Sequence, residues 1–406
     1  MTFVWIIIIF IFLEIALYFL VNIQRRSFPW LITKKDEFPD FDVQALNKFL
    51  DYSFDSQLGW VRRPNSSGIE NGQKGKITFH IDSFGSRTNS FEKSAPFVAA
   101  FGDSYAFCRQ VEDDETWESQ LSKKNNIGVM NFGVGNYGVD QALLRYQNLN
   151  LPDTVKVVVM AFVPETICRI QSYWKHYLEF GNTFAFKPRF ILDPDGNLTL
   201  LNNLIRSKED YLLYQEKLPE IQKQDEFYKK KFLSQQFRFP YFFSLMRHPI
   251  RQSILISAVA LRGAFRALGI SIVKIESLPF KVVMKNNLLD ADKFYKKDKS
   301  RKLLSAILLS FRDEALRRGH MPLIVVIPQL LDIIIGKKNY LSYQDYFDQL
   351  AKTLPIINLT DKFIKTDYEK LYINDQYGGH LSVKGNSLVA EEISNWLKSQ
   401  TLYKNM

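Results

Sequence analysis

The chain has 406 residues, 46% of them apolar, and a formal net charge of +10. That length excludes a minimal single domain and suits one large domain with an insertion, or two domains; the apolar share excludes disorder for the bulk of it. The basic charge is dispersed, its densest run is Lys229-Lys230-Lys231, and no nucleic-acid motif accompanies it, so a solvated basic face or attraction to an acidic polymer or lipid head groups is expected instead of nucleic acid.

Residues 3–21 are nearly continuous apolar sequence, about the roughly 20 residues needed to cross a bilayer. No basic stretch precedes them and no small-residue cleavage site follows, so residues 1–23 are expected to form an uncleaved transmembrane anchor and not a signal peptide. Glu14 costs of the order of ~3 kcal/mol at mid-membrane when charged, unless protonation or a partner helix relieves it. Arg25, Arg26, Lys34 and Lys35 follow the segment and no Lys or Arg precedes it, which by the positive-inside rule keeps the rest of the chain in the cytoplasm.

Residues 24–95 form a juxtamembrane lead-in rich in turn signals. Leu58–Asn65 and Lys76–Ile81 look like two short strands around a Gly-rich loop. From 96 the pattern alternates. Phe97–Phe101, Gly128–Phe132 and Val155–Phe162 read as strands, and Thr116–Lys123 and Val139–Asn148 as helices, the first capped by Asp113 or Asp114. Apolar runs without alternation mark strands buried on both faces, and the βαβ order implies a parallel sheet with helices on both sides. Residues 166–300 break the pattern with long amphipathic segments punctuated by proline, read as a mostly helical insertion. Alternation then resumes: helix Arg301–Arg318, strand Leu323–Ile327, helix Tyr343–Thr353, strand Ile356–Leu359, and helix Val383–Leu397 capped by Ser382.

Gly102-Asp103-Ser104 directly follows the first buried strand, so a sharp turn can present the Ser104 hydroxyl to a cleft. His380 lies on a Gly-rich turn far downstream. A serine and a histidine so placed are what nucleophilic acyl chemistry requires. Ser104, the Gly133–Gly138 loop, the Pro164–Thr166 turn and the His380 loop should meet at the carboxyl edge of the sheet, where open α/β sheets bind ligands. Cys108 and Cys168 make no metal site, and either a disulfide or two reduced thiols suits them. The aromatic stretch Tyr173–Phe190 suits sugar rings, but a hydrophobic core for the insertion accounts for it more simply.

Three blocks carry a resemblance. Phe101-Gly102-Asp103-Ser104-Tyr105-Ala106-Phe107, Asn131–Gln141 and Gly379–Asn386 resemble the first, second and last blocks of the SGNH/GDSL hydrolases. The resemblance covers roughly 96–165 and 301–398 and leaves out the lead-in and the insertion. It implies a flavodoxin-like three-layer α/β/α sandwich with a parallel sheet, spanning 96–165 and 301–406. Ser104 would be the nucleophile, His380 the general base, and the backbone N–H groups of Ser104 and of the Gly135–Asn136 turn the oxyanion donors. No cofactor or metal is implied. The pattern departs in two places. The family's acid usually stands three residues before the histidine, where this chain has Tyr377; Asp375 lies five before, and the two intervening glycines could let it reach the imidazole, or the pair could lack an acid. The family's third block supplies an Asn donor, whereas the matching turn reads Val163-Pro164-Glu165-Thr166. An ionised Glu165 cannot donate, which leaves Thr166.

The expected function is an SGNH-type O-acyl ester hydrolase or acyltransferase, anchored in a bacterial inner membrane by a single span and acting on acylated, chiefly acetylated, cell-envelope carbohydrate. The family's setting points to the periplasm, opposite to the basic residues after the anchor, and the sequence leaves the side open. The altered third block and Tyr377 support a rival, a catalytically inactive glycan-binding or assembly protein on the same scaffold.

Overall fold

The computed structural model describes residues 2–27, 31–72, 75–89, 94–373 and 379–400. The chain opens with one helix, Thr2–Ser27, of which Thr2–Asn22 is long and apolar enough to cross a membrane. Two short antiparallel pairs follow. Strand β1 (Phe54–Asp55) pairs with β2 (Gly59–Trp60), and β3 (Ser66–Gly72) forms a hairpin with β4 (Gly75–Ile81). The expected strand at Leu58–Asn65 is corrected. Pro64 cannot donate to a ladder and Asn65 is left-handed at φ 53°, so the hairpin arm begins only at Ser66.

The central sheet has five strands, all parallel. They are β5 (Pro96–Gly102), β6 (Gly128–Gly133), β7 (Val157–Phe162), β10 (Met321–Val326) and β11 (Ile356–Asn358), in spatial order β11-β10-β7-β5-β6. Counted along the core alone, that is 2-1-3-4-5, the flavodoxin-like arrangement. Alternate side chains divide between two cores. Ala99, Phe101, Val158, Met160, Ile324 and Val326 face one layer; Val98, Ala100, Val157, Val159, Leu323 and Val325 face the other. Helices Val139–Asn148 and Asp298–Arg317 cover the first side, and Trp117–Asn125 and Val383–Ser399 the second. The result is a three-layer α/β/α sandwich.

The cap of the helix at Trp117 is Thr116, whose Oγ1 accepts from Ser119 N at 3.1 Å. Asp113 is instead held by Arg87 at 2.7 Å and His80 at 2.8 Å, which corrects the expected cap. Ser382 Oγ does accept from Gly385 N, at 3.2 Å, at the head of the last helix.

Between β7 and β10 the chain adds helices and one hairpin that the sequence reading passed over, β8 (Arg189–Leu192) with β9 (Leu198–Leu201). The aromatic stretch there turns inward. Trp174 stacks on Phe186 with ring centroids 4.6 Å apart, and Tyr173, Trp174, Tyr177, Phe186 and Phe190 share a buried core with Met160 and Phe162 of the sheet. The insertion is thus packed continuously onto the sandwich. Cys108 and Cys168 are free and buried; they belong to the cores on opposite faces of the sheet, so no bond joins them.

Candidate active site

The nucleophile turn is set by the sheet beneath it. Gly102 ends β5 at φ 151°, and a Cβ there would stand 1.8 Å from the Ala161 carbonyl oxygen, so only glycine lets the chain turn this close to β7. Asp103 then ties the turn down. Its Oδ1 accepts from Tyr105 N at 2.8 Å, and its Oδ2 from Val163 N at 3.0 Å and Arg169 Nη1 at 3.1 Å. Ser104 follows with its side chain at the floor of a cavity of about 230 Å³, which His380, Tyr105, Asn136 and Arg169 also line.

Ser104 Oγ and His380 Nε2 lie 3.0 Å apart, although 276 positions separate them in sequence. On the other side of the ring, Nδ1 stands 3.1 Å from Gln110 Oε1. The Gln110 amide is oriented by its own donation from Nε2 to Asn71 O at 3.1 Å, so it turns an acceptor toward the imidazole. That places the ring proton on Nδ1 and the free lone pair of Nε2 toward the serine hydroxyl. Burial, aided by the nearby Arg109 and Arg169 cations, holds the imidazole well below its usual range, to about 3, so it is a neutral base. The other four histidines are elsewhere: His80 on Asp113, His176 on Asp36 O at 3.0 Å, His320 on Tyr146 O–H at 2.8 Å, and His248 at the head of an insertion helix.

The second block supplies the facing loop. Trp60 of β2 donates from Nε1 to Gly135 O at 3.0 Å, and Tyr137 O–H donates back to Trp60 O. The lead-in therefore holds this loop in place, a role its composition did not suggest. Asn136 takes the left-handed conformation at φ 70°, which Asn tolerates better than most residues. The backbone N–H groups of Ser104, Gly135 and Asn136 find no acceptor among the described residues, leaving them for water or a substrate oxygen.

The third block is used differently from expectation. Thr166 Oγ1 accepts from Val139 N at 3.0 Å and is fully buried, committed to the head of the helix Val139–Asn148. It does not line the cavity, so the donor role expected of it does not fit this placement. Glu165 lines the cavity but is bound to Arg169 Nη2 at 3.2 Å. Arg169, with Gln110, is what the sequence reading missed. Gln110 stands three residues after the first block and Arg169 three after the Val163–Thr166 turn, but nothing in residue type or spacing shows which way a side chain will turn. Asp375 and Tyr377 lie outside the described residues.

A second cavity of about 550 Å³ adjoins the first through shared Arg109, Asn136 and Asn182. Its walls mix aromatic, charged and amide groups: Trp60, Phe184, Arg62, Glu70, Lys175 and Asn182. Glu70 fixes Arg109, accepting from Nε at 3.0 and 3.1 Å. No group of His, Cys, Asp and Glu suited to a metal ion occurs among the described residues.

Taken together, the fold and site define a doubly wound α/β protein with a serine–imidazole pair at the carboxyl edge of its sheet. No family model matches the chain, and no curated protein does. Among solved structures, it is similar to a lipolytic protein of the G-D-S-L family from Desulfitobacterium hafniense, at 10% identity and a TM-score of 0.31, over 73% of this chain and 97% of that one. A protein from Lactobacillus plantarum is similar at 10% identity and a TM-score of 0.36, over 76% and 98%.

Proposed function

We propose that the chain is a membrane-anchored, serine-dependent O-acyl ester hydrolase or acyltransferase of the SGNH type, acting on acetylated cell-envelope carbohydrate. The observation that carries this reading is the 3.0 Å approach of Ser104 Oγ to a neutral His380 Nε2, beside backbone amides with no partner of their own among the described residues. Nε2 takes the Ser104 proton as Oγ attacks the ester carbonyl. The developing oxyanion is met by the N–H groups of Ser104 and of the Gly135–Asn136 turn, each such donor being worth roughly 3 kcal/mol in known cases. Collapse breaks the bond to the leaving alkoxide, which receives the proton from Nε2. Water or a second hydroxyl then attacks the acyl-serine, giving hydrolysis or transfer.

The adjoining cavity supports a carbohydrate on the far side of the ester, because its aromatic and amide-bearing walls suit a polar ring. The apolar helix Thr2–Asn22 supports the anchor. Asp375 stays in the proposal as the acid expected from sequence.

A non-catalytic glycan-binding role is favoured by two observations: among the described residues an amide, Gln110, faces Nδ1, and a third-block carboxylate is locked to Arg169 where a donor was expected. A fluorophosphonate probe separates the readings. Labelling of the wild type that disappears in Ser104→Ala and drops sharply in His380→Ala supports the enzyme. An unlabelled wild type that still binds acetylated glycan overturns it.

A further inference from the structure

Glu14 lies in the middle of the apolar N-terminal helix, yet it is buried. Its carboxylate accepts from Tyr241 N at 2.6 Å and Phe242 N at 2.5 Å, the first amides of the insertion helix Tyr241–Arg247. The contact continues along the same helix face. Phe10 meets Phe242 at 5.8 Å, Tyr18 meets Tyr241 at 5.8 Å, and Val21 shares a small core with Phe237, Leu255 and Val259. At about 1.5 Å of rise per residue, the span from Val21 to Phe10 is about 16 Å, roughly half of a ~30 Å hydrocarbon core. If the N-terminal helix crosses a bilayer, this part of the insertion lies within it.

The outward face of the insertion agrees. Phe239, Phe243, Ile250 and Leu268 are 75%, 57%, 76% and 73% exposed. On the helix Pro249–Ala267, every exposed position from Ser253 to Ala264 is apolar or small and uncharged. A helix face without charge finds no favourable contact with water. The Glu14 bonds meet a second demand, since amides at the start of a helix need an acceptor where water is absent. Arg238 and Arg247 bracket the apolar turn, with stems long enough to reach head groups.

We propose that residues 239–264 dip into one leaflet of the bilayer alongside the N-terminal helix, as a re-entrant element whose occupant on the outer face is lipid hydrocarbon. The inference rests on the anchor assigned above. The helix Leu278–Tyr295 packs against Pro249–Ala267 and lines the Ser104 cavity with Phe280, Met284 and Leu288, so the cavity stands at the membrane surface.

The test uses the full chain in vesicles of phosphatidylcholine and phosphatidylglycerol. A bimane label is placed in turn at Phe243→Cys, Ile254→Cys, Phe12→Cys and Leu316→Cys; the native cysteines are buried. Leu316 is exposed on a sandwich helix and serves as the aqueous control. The expected result is loss of most fluorescence with acyl-chain spin-labelled lipid at Phe243, Ile254 and Phe12, and with aqueous iodide only at Leu316. Quenching at Phe12 but iodide access at Phe243 and Ile254 overturns the re-entrant element and spares the anchor. Shielding of Phe243 and Ile254 from both quenchers means a protein partner or second copy covers the face, and also overturns it. Iodide access at Phe12 overturns anchor and element together.

Discussion

Arg169 holds Asp103, the residue next to the candidate nucleophile, at 3.1 Å beneath the cavity floor. The same guanidinium takes Glu165 at 3.2 Å, and all three side chains are nearly excluded from water. Removing a buried cation leaves its carboxylates uncompensated, which typically costs ~3–5 kcal/mol. Arg169→Met should lower the unfolding free energy by about that amount, read by denaturant titration. A change within experimental error would show that the two carboxylates are otherwise satisfied.

The serine and histidine act as one unit, so their losses should not add. Ser104→Ala and His380→Ala should each lower kcat on a chromogenic acetyl ester by about 10⁴-fold or more, and the double variant should be no worse than the weaker single. Additive losses would mean that the two side chains act independently.

Two groups are candidates to orient the imidazole: Gln110, 3.1 Å from Nδ1, and Asp375. With Gln110 in that role, Gln110→Ala should lower kcat by about 10²-fold with little change in KM. Asp375→Asn and Tyr377→Phe should then be near neutral. A large loss in Asp375→Asn with an active Gln110→Ala would return the role to the carboxylate.

The imidazole is held to about 3 by burial and by the Arg109 and Arg169 cations. Its base form therefore survives far below its ordinary titration, and the acid limb of kcat/KM should fall well under pH 6.5. Gln110→Glu adds a negative charge at Nδ1, which favours the imidazolium and should move that limb upward. A wild-type limb at the free imidazole value would contradict the desolvated site.

Glu118 is fully buried, accepts from Cys108 Sγ at 3.1 Å, and is raised by burial to about 8 from 4.5. A carboxyl whose folded pKa exceeds its unfolded one favours folding below the unfolded value and loses that contribution as pH rises toward the folded one. Wild type should thus lose stability between pH 4.5 and 8 relative to Glu118→Gln, by about 5 kcal/mol. Equal pH slopes in thermal melts of the two proteins would refute this.

The core strands were legible because β5, β7 and β10 are unbroken apolar runs, Val157–Phe162 above all, and because helices of matching period stand between the strands. Ser104 and His380 were legible from the turns that carry them. The β8–β9 hairpin is harder to read: Asp193-Pro194-Asp195-Gly196 between its arms is a turn signal, but proline punctuates breaks between helices equally well. Gln110 and Arg169 were hidden for another reason. Each acts through a partner far away in sequence or across the cavity, and a local pattern holds no record of that direction.

Gly102 leaves no gap between the nucleophile turn and the Ala161 carbonyl. The hydroxyl's address is therefore a property of the parallel strands and not of a movable loop. On warming, helices of the insertion can loosen while the reactive geometry persists, so inactivation toward a small ester should coincide with melting of the sandwich and lag any earlier transition in the periphery. Calorimetry run beside residual-activity assays would expose an earlier loss, which would mean that the turn yields before its scaffold does.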